Sequence, residues 1–429
     1  MSNRTLDEWL THLETLHPRA MELGLDRVRS VALALDLLPV SCSVITVAGT
    51  NGKGSTAAVL ESLLTETGHL TGCFTSPHFL RFNERIRVAG QEVENVEVTG
   101  AFAAIEQARG DTSLTYFEFA TLAALLIFAQ RGVDVMVLEV GLGGRLDSVN
   151  IVDPSVAVIT SIDLDHQEWL GETRGDIARE KAGIMRRNVP LVIADTKPPA
   201  QLLECAVQSG ASPVYLVGRD YSWAPEQSGW RGWLSTGEGG RIDITAGQGA
   251  LLPDNIFAAL QAAAGLGIDW SEEQLQATLR NAHCAGRRQW CELADRRYLL
   301  DVAHNPAAIN KMLETIDSSD CNKKIYALFS VMKDKPVDEM LDLLEGRVDG
   351  WFLADQMNNP RALRAADTAD LLRARGHEMI SISKNITQAF RRAQQVMGEG
   401  DTLAIFGSFF TVAAVLPLLD KDRRKNGTR

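Results

Sequence analysis

A glycine-rich segment with a single lysine constrains the fold of this chain more than any other feature. It reads SVITVAGTNGKGS from Ser43 to Ser55, and it begins with a run of β-branched residues. Glycines in such a segment let the backbone adopt positive φ, so that successive amide N–H groups approach an anion. Lys53 adds a positive charge, and the small and apolar residues after it recur at helical spacing. The segment therefore predicts a strand, a phosphate loop formed by residues 49–55, and the start of a helix.

The phosphate loop departs from the usual G-x-x-x-x-G-K-[ST] pattern at both ends. Val47 stands in place of the first glycine, and Gly54 replaces the Ser or Thr after the lysine. Because that hydroxyl holds Mg²⁺ in the usual loop, a nucleotide site here needs metal ligands from other segments. A glycine-rich turn that binds no ligand is the alternative interpretation.

The bulk composition narrows the class of protein. A chain of 429 residues with 45% hydrophobic residues exceeds one ordinary core, which predicts two domains. The net charge of 43 − 55 = −12 disfavours a general role on nucleic acid or on an anionic membrane. Six scattered cysteines without a C-x-x-C pair indicate reduced thiols and no structural zinc. The N-terminus lacks an apolar signal core, and the apolar run at 119–130 is shorter than the roughly 20 residues of a membrane span. We expect a cytoplasmic monomer.

Apolar β-type runs alternate with helical segments along most of the chain. Residues 43–217 therefore predict a mainly parallel sheet with helices on both faces, like that of a P-loop ATPase. Residues 223–244 predict a small antiparallel appendage, and helices are expected at 253–266 and 271–281. A second alternation follows. We predict an α/β domain at 1–284 and a smaller Rossmann-like α/β domain at 285–429.

Three side chains at predicted strand ends are candidates for the metal site. Ser76 ends an apolar strand, Glu139 ends VDVMVLEV, and His166 follows VAVITSIDLD. The carboxyl ends of parallel strands share one edge of a sheet, so these residues should lie near the phosphate loop. A carboxylate and a hydroxyl suit Mg²⁺. His166 could instead be a hydrogen-bonded loop residue.

Other charged residues have two interpretations each. Lys181 lies on a predicted helix, where a solvated lysine is the ordinary outcome. The arginine-rich segment RFNERIR at 81–87 could face an anionic substrate or form a charged surface loop. In the second predicted domain, Asp301, His304 and Asn305 follow a strand in LLDVAHNP and again mark a strand end.

Taken together, these segments resemble the folylpolyglutamate synthase/dihydrofolate synthase family of the Mur-ligase superfamily. The resemblance rests on strings in the family's order along nearly the whole chain: GTNGKGS, TSPH with RFNERI, TYFEF, LEVGLGGRLDSVN, ITSIDLDH, REKAGI, GRRQ, LLDVAHNP, MKDK and GSFFTVA. The sequence departs from many relatives at Ser148 and Val149, where they carry Ala and Thr, and SVMKDK lacks a leading Gly.

The resemblance implies an ATP-dependent amide ligase. In that family a carboxylate of the pterin substrate is phosphorylated to an acyl phosphate, which the amine of L-glutamate then attacks. The implied substrates are ATP, L-glutamate, and 7,8-dihydropteroate or a reduced folate, and the implied metal is Mg²⁺, as two ions. A bifunctional enzyme is the interpretation we favour, and a folylpolyglutamate synthase without the first activity is the alternative.

The resemblance also assigns roles to residues. It places the ATP phosphates on Gly49, Thr50, Asn51, Gly52, Lys53, Gly54 and Ser55, and the rest of the nucleotide on Asn255, Arg287, Asp301 and His304. It places magnesium on Ser76, Glu139 and His166, the pterin on Thr115, Phe117, Asp147 and Ser148, and glutamate on Ser408. It makes Lys53, Lys181 and His304 catalytic, with Lys181 carbamylated.

Two other functions compete with this one. A cell-wall Mur ligase carries a further substrate domain ahead of the loop, whereas 49 − 1 = 48 residues precede Gly49 here. A nucleotide-dependent switch or binding module would use the loop as a sensor. The guanine-specific N/T-K-x-D string is missing, since 322–325 reads NKKI.

Overall fold

The computed structural model describes residues 4–17, 21–227, 229–236, 239–247, 251–319, 323–356 and 359–425. The chain divides into two compact units, Met1–Cys284 and Ala285–Arg429. Within the described residues, no helix combines the length and apolar character needed to cross a membrane.

The first unit contains eleven strands and ten α-helices among its described residues. The strands are β1 Ser43–Ala48, β2 Thr71–Phe74, β3 Ile86–Val88, β4 Gln91–Glu92, β5 Val135–Glu139, β6 Val156–Ile159, β7 Leu191–Ile193, β8 Val214–Leu216, β9 Ser222–Glu226, β10 Gly229–Ser235 and β11 Arg241–Gly247. The helices are α1 Leu6–Leu16, α2 Asp26–Ala34, α3 Lys53–Glu66, α4 Asn95–Arg109, α5 Tyr116–Arg131, α6 Gln167–Leu170, α7 Arg174–Ala182, α8 Ala200–Ser209, α9 Pro253–Leu266 and α10 Glu272–Asn281. Two short 3-10 helices span Phe82–Arg85 and Ser148–Ile151.

An eight-stranded sheet forms the centre of this unit, in the order β4-β3-β2-β5-β1-β6-β7-β8. Strands β2, β5, β1, β6, β7 and β8 are parallel, and β3 and β4 add an antiparallel edge. Successive side chains of a strand point to opposite faces, so in β1 Val44 enters one core and Ile45 the other. Helices α1, α2, α4, α5, α7 and α8 cover the first face, and α3, α9 and α10 cover the second.

The antiparallel appendage is the separate sheet β11-β10-β9. Gln261 of α9 anchors it, because its amide oxygen accepts the N–H of Ser235 at 3.0 Å and its amide nitrogen donates to the Ser235 carbonyl at 2.9 Å. Tyr221, fully buried just before β9, donates to the carbonyl of Ile193 at the end of β7.

The second unit is a smaller α/β unit. Its strands are β12 Gln289–Leu293, β13 Arg296–Leu300, β14 Ile325–Phe329, β15 Gly350–Ala354, β16 Ile380–Ser383 and β17 Thr402–Phe406, and its helices are α11 Pro306–Asp317, α12 Val337–Leu343, α13 Ala365–Ala374, α14 Ile386–Val396 and α15 Phe409–Lys425. The sheet order is β12-β13-β17-β14-β15-β16, in which only the β12–β13 pair is antiparallel.

The structure confirms the predicted fold class and most of its elements. The helices expected at 253–266 and 271–281 are α9 and α10, the latter capped by Ser271, whose hydroxyl accepts the N–H of Gln274. The interpretation of 81–87 as a surface loop is wrong, because this segment forms a 3-10 helix and then β3. A short strand is difficult to recognise when it contains only three residues, two of them partly buried.

Candidate active site

The phosphate loop connects β1 to α3 at the carboxyl edge of the large sheet. Strand β1 lies between β5 and β6, so residues that follow those two strands flank the loop directly. Val47 is paired with Glu139, and the carbonyl of Val47 accepts the N–H of Val140 at 2.9 Å. Gly52, at φ +89°, caps the N-terminus of α3 in the left-handed region. The amide N–H groups at the start of this helix therefore form an anion site.

The segment after β6 holds the loop in shape. The Thr50 N–H donates to the carbonyl of Ser161 at 2.6 Å, and the Asn51 N–H donates to the Ser161 hydroxyl at 3.1 Å. The Thr160 hydroxyl donates to the carbonyl of Asn51 at 2.7 Å, and the Asp163 N–H donates to the Thr50 hydroxyl at 3.0 Å. The sequence analysis did not single out Thr160 or Ser161. Their signal was the TS pair directly after an apolar strand.

Two glycines of the loop fit against polar side chains from distant elements. A β-carbon at Gly49 would lie 1.7 Å from Oγ1 of Thr160, and one at Gly52 would lie 2.3 Å from Oδ1 of Asn255. Asn255 is buried in the first turn of α9. The structure thus brings this predicted nucleotide residue against the phosphate loop.

Two lysine amines meet at the carbonyl groups of the loop. Nζ of Lys53 donates to the carbonyls of Gly49 and Thr50 at 3.0 and 3.3 Å, and Nζ of Lys181 donates to that of Gly49 at 2.9 Å. Lys181 is buried on α7, so it is not a solvated lysine. Its burial, and then the charge of Lys53, lower the pKa of Lys181 from 10.5 to about 7.

Glu139 is the buried carboxylate closest to the unusual end of the loop. A β-carbon at Gly54 would lie 3.7 Å from both of its carboxylate oxygens. The Ser76 N–H donates to Oε2 of Glu139 at 2.9 Å, so the end of β2 reaches the same carboxylate. Glu139 therefore occupies the side of the loop where the usual Ser or Thr hydroxyl would project.

The third predicted metal ligand follows the segment that holds the loop. His166 has φ +51° at the N-cap of α6, and its Nε2 lies 3.9 Å from Oδ2 of Asp165. In the part of the chain that the structure describes, no group of three or more His, Cys, Asp or Glu side chains could hold a metal ion. A divalent ion beside Glu139 would therefore need hydroxyl, water or phosphate oxygens, which is the donor set that Mg²⁺ prefers. The residues present fit such an ion.

The four residues of the predicted pterin pocket lie around the N-terminus of α5. The Phe117 ring packs over Gly141, where a β-carbon would lie 2.6 Å from Cζ of the ring, and its centroid lies 5.8 Å from that of Phe74. The hydroxyl of Ser148 lies 2.6 Å from that of Thr121, one turn along α5 from Phe117.

Thr115 and Asp147 have structural partners at this place. Thr115 caps α5, because its hydroxyl accepts the N–H of Glu118 while the Glu118 carboxylate accepts the N–H of Thr115. Asp147 accepts the N–H groups of Leu142 and Val149 at 2.8 and 3.0 Å. Burial raises the pKa of Asp147 to about 6, although these N–H groups and the Lys53 charge oppose the rise.

A segment that the sequence analysis did not identify also reaches this place. Arg27 of α2 donates to the Glu118 carboxylate at 3.1 Å and to the carbonyl of Glu22 at 2.9 Å. The segment 22–27 is therefore attached to the first turn of α5. Its only signal in the sequence was a short LGLDR string among ordinary helical residues.

The second unit gathers its predicted residues at its own strand ends. Asp301, directly after β13, accepts the N–H groups of Arg288 and Ala303 at 3.1 and 2.9 Å. Burial raises the pKa of Asp301, and the nearby charge of Arg287 opposes the rise. Nδ1 of His304 lies 2.7 Å from the carbonyl of Val302.

The remaining two predicted residues of this unit lie near the start of α15. The guanidinium carbon of Arg287 lies 5.4 Å from the centroid of the Phe409 ring. The Ser408 hydroxyl accepts the N–H of Thr411 at 3.2 Å, lies 2.8 Å from the Thr411 hydroxyl, and accepts from the Gln356 amide at 3.2 Å. Ser408 thus has a complete set of protein partners.

Comparison with known proteins gives the family. Residues 47–220 match the Mur ligase middle domain, and residues 286–409 match the Mur ligase glutamate ligase domain. The chain is 39% identical over 423 residues to the dihydrofolate synthase/folylpolyglutamate synthase of Escherichia coli, covering 98% of this chain and 97% of that protein.

Comparison with solved structures gives the same family. The structure of E. coli FolC in complex with DHPP and ADP is 38% identical, with a TM-score of 0.92 over 98% of this chain and 99% of that one. The Yersinia pestis bifunctional folylpolyglutamate synthase/dihydrofolate synthase complexed with AMPPNP and Mn ion is 38% identical, with a TM-score of 0.90 over 97% and 98%. With its phosphate loop, its buried strand-end carboxylate and these matches, the chain belongs to the dihydrofolate synthase/folylpolyglutamate synthase family of Mur ligases.

Proposed function

We propose that this protein uses ATP to join L-glutamate to the carboxylate of 7,8-dihydropteroate and to that of reduced folates. The observation that carries the proposal is the placement of the buried Glu139 carboxylate against Gly54 of the phosphate loop. A carboxylate in that position would hold a divalent ion for phosphoryl transfer at a loop without the usual hydroxyl. The relatives that match nearly the whole chain carry both synthase names.

The phosphate loop and Lys53 bind the phosphates of ATP in this proposal. In the structure the Lys53 amine donates to two carbonyl groups of its own loop. When phosphate oxygens are present, this amine turns from the carbonyls toward them, while Thr160 and Ser161 hold the backbone of the loop at Asn51. The buried Asn255 fixes the turn at Gly52.

Ser76, Glu139 and His166 would hold magnesium. The ion supplies charge neutralisation at the transferring phosphoryl group. The buried Lys181 amine, with its pKa of about 7, is partly neutral at physiological pH, which is the form that reacts with CO₂ to give a carbamate. We assign this carbamate the role of orienting a second ion. Its presence would be seen by mass spectrometry of the native protein as the added mass of one CO₂.

The reaction consists of two substitutions. The acceptor carboxylate attacks the γ-phosphorus of ATP and releases ADP, which gives an acyl phosphate. The neutral amine of L-glutamate then attacks the acyl carbon, and the tetrahedral intermediate loses phosphate and a proton to give the amide. Holding three reactants in line contributes a large part of the rate acceleration.

The two units divide these tasks. The first unit, residues 1–284, binds ATP and the pterin, which we place against Phe117 with Thr115, Asp147 and Ser148 around it. The second unit, residues 285–429, binds glutamate near Ser408. It also contributes Arg287, Asp301 and His304 to the nucleotide, His304 as a catalytic residue. We expect a monomer in solution, which light scattering would test.

A paired assay tests the function. Purified protein with ATP and Mg²⁺ should release phosphate only when L-glutamate and a pterin acid are both present, and it should form product from 7,8-dihydropteroate and from a reduced folate monoglutamate. If product forms from the reduced folate and none forms from 7,8-dihydropteroate, the protein has only the folylpolyglutamate synthase activity. Equal phosphate release without either substrate would instead indicate a nucleotide-dependent switch.

A further inference from the structure

Three arginines in the segment 81–87 differ in how their charges are compensated. Arg81 is exposed and pairs with Glu92 at the surface. Arg87 is partly buried, and its guanidinium contacts both carboxylate oxygens of Glu61 at 2.7 to 3.0 Å. Arg85 is 9% exposed, and among the described residues no carboxylate lies within 4.0 Å of it.

Arg87 shows what a fully satisfied guanidinium looks like in this segment. Besides Glu61 of α3, it donates to the Thr75 hydroxyl at 3.1 Å, to the carbonyl of Glu84 at 2.8 Å and to Sγ of Cys73 at 3.3 Å. These contacts tie the helix after the phosphate loop to the end of β2. Arg87 therefore has a structural role and no free donor group facing a ligand.

The side chain of Arg85 makes one hydrogen bond among the described residues, from Nε to Nδ1 of His78 at 2.7 Å. Burial, and then the charge of Arg85, lower the pKa of His78 to about 4, so this acceptor is neutral at physiological pH. Neither Nη group of Arg85 donates a hydrogen bond to any residue that the structure describes. The carboxylate of Glu84, the neighbouring acid, is used by the N–H groups of Phe79, Leu80 and Arg81.

A buried cation with no carboxylate within salt-bridge distance is costly, and the more distant charges of Glu139 and Glu84 offset the burial of Arg85 only in part. Arginine does not escape this cost by losing its proton, because its pKa stays far above physiological pH even when burial lowers it. Proteins pair such charges or use them on ligands. The two Nη groups of Arg85 are therefore suited to bind an anionic ligand.

The position of Arg85 indicates which ligand. Its carbonyl accepts the N–H of Thr75 at 2.9 Å, and the next residue, Ser76, donates its N–H to Glu139. Its guanidinium carbon lies 5.5 Å from the centroid of the Tyr116 ring, and Tyr116 is the neighbour of Phe117. Arg85 thus lies between the strand end that contacts Glu139 and the helix turn that carries Phe117.

We propose that Arg85 binds the acceptor carboxylate of the pterin or folate substrate and presents it for phosphorylation. This inference rests on the proposed function, in which the phosphates belong to Lys53 and the incoming glutamate to the second unit. The planar guanidinium offers two parallel N–H donors, which match a carboxylate in bidentate geometry. Binding through Arg85 would hold one acceptor oxygen toward the γ-phosphorus and keep the ring system at Phe117.

The test compares 7,8-dihydropteroate with the analogue whose carboxylate is replaced by a carboxamide. Dissociation constants are measured by titration calorimetry on the full chain with ADP and Mg²⁺ present. We expect wild type to prefer the acid over the amide by about 10- to 100-fold, the range for a hydrogen-bonded charge pair. Arg85→Met should bind both compounds with equal affinity, because the variant lacks the cation that distinguishes a carboxylate from a carboxamide.

Arg81→Ala is the matched control, since it removes an arginine of the same segment that pairs only at the surface. It should keep the wild-type preference. In steady-state assays Arg85→Met should raise the KM for dihydropteroate and leave the KM values for ATP and L-glutamate within about twofold. A wild-type preference in Arg85→Met, or a KM change confined to ATP or glutamate, would overturn the inference.

Folding does not limit this test. Should Arg85→Met fail to fold, Arg85→Lys decides: an ammonium group cannot form the bidentate pair, so the acid-to-amide preference should fall by about tenfold, and an unchanged preference would overturn the inference. If wild type makes no product from dihydropteroate or folates, the proposed function fails. If wild type is active and Arg85→Met keeps the wild-type preference for the acid over the amide, the proposed function stands and this role of Arg85 does not.

Discussion

The polar residues at the strand ends of the two units are held in different ways. In the first unit, partners far away in the sequence hold the phosphate loop: Thr160, Lys181 and Asn255 all contact residues 49–52. In the second unit, Asp301, His304 and Asn305, which follow β13, each contact a backbone group two or three residues away, and Asp301 also accepts from Arg288.

This difference predicts different responses to mutation. A loop held by distant side chains depends on the packing of the whole unit, so a change in one partner should affect nucleotide binding strongly. A cap that serves its own helix should affect local stability and little else. The following variants test that contrast, beginning with the largest expected effect.

Glu139→Gln should abolish turnover, with a loss of about 10³-fold in kcat. The amide keeps the volume and an oxygen that can accept from Ser76, so only the negative charge beside the loop is lost. Steady-state kinetics at saturating Mg²⁺ measure the loss, and thermal melting serves as the folding control. Activity within tenfold of wild type would remove Glu139 from the metal site.

Lys181→Met should change how stability depends on pH. Burial lowers the folded-state pKa of Lys181 to about 7 from 10.5, so between these values the unfolded chain binds more protons than the folded one. The free energy of unfolding of wild type, relative to the variant, should therefore rise through this window by up to about 1.4 kcal/mol per pH unit.

Denaturant titrations in CO₂-free buffer at several pH values measure this difference. It should be flat below pH 7, where Lys181 is protonated in both states. A difference that stays flat up to pH 10 would show that the amine keeps its proton when buried.

Gly52→Ala should weaken ADP binding by about tenfold or more, because a β-carbon there meets Oδ1 of Asn255 at 2.3 Å. Gly90→Ala is the matched control: Gly90 has a similar φ of +74° but open space around its β-carbon position. Both variants share the left-handed backbone strain, so the difference between their free energies of unfolding isolates the contact with Asn255. Equal ADP affinities, measured by calorimetry, would contradict the importance of that contact.

Asn305→Ala and Asn385→Ala should give the smallest effects. Both residues cap helices of the second unit, accepting the N–H of Ala308 at 2.9 Å and of Gln388 at 2.8 Å. Each substitution should lower the free energy of unfolding by about 1 kcal/mol. If residues 301–305 serve the nucleotide, only Asn305→Ala should also lower kcat/KM. Equal kinetic effects would assign the loss to stability alone.

The sequence predicted features that depend on local patterns. The strand-loop-helix at 43–66, the antiparallel appendage and the helix at 253–266 follow from β-branched runs, glycines and Pro253. The approach of Glu139 to the loop followed from the rule that parallel strands end at one edge.

Contacts between distant residues were not predictable in the same way. Nothing in the sequence around Thr160 indicates that its hydroxyl occupies the space where a β-carbon of residue 49 would lie. Lys181 resembles a solvated lysine until the packing of α7 is known. The three arginines of 81–87 look equivalent in the sequence. Their separation into surface, structural and ligand-facing groups depends on where Glu61, Glu92 and His78 lie in space.

The contact between Gly54 and Glu139 explains why the absence of a side chain at position 54 is useful. The position of a β-carbon at residue 54 is already in contact with the Glu139 carboxylate and, at 3.7 Å, with the sulfur of Cys284. A serine there would bring its hydroxyl close to these two groups. The glycine at 54 therefore keeps this side of the loop clear for the Glu139 carboxylate, and a side chain added there would compete for contact with whatever that carboxylate binds.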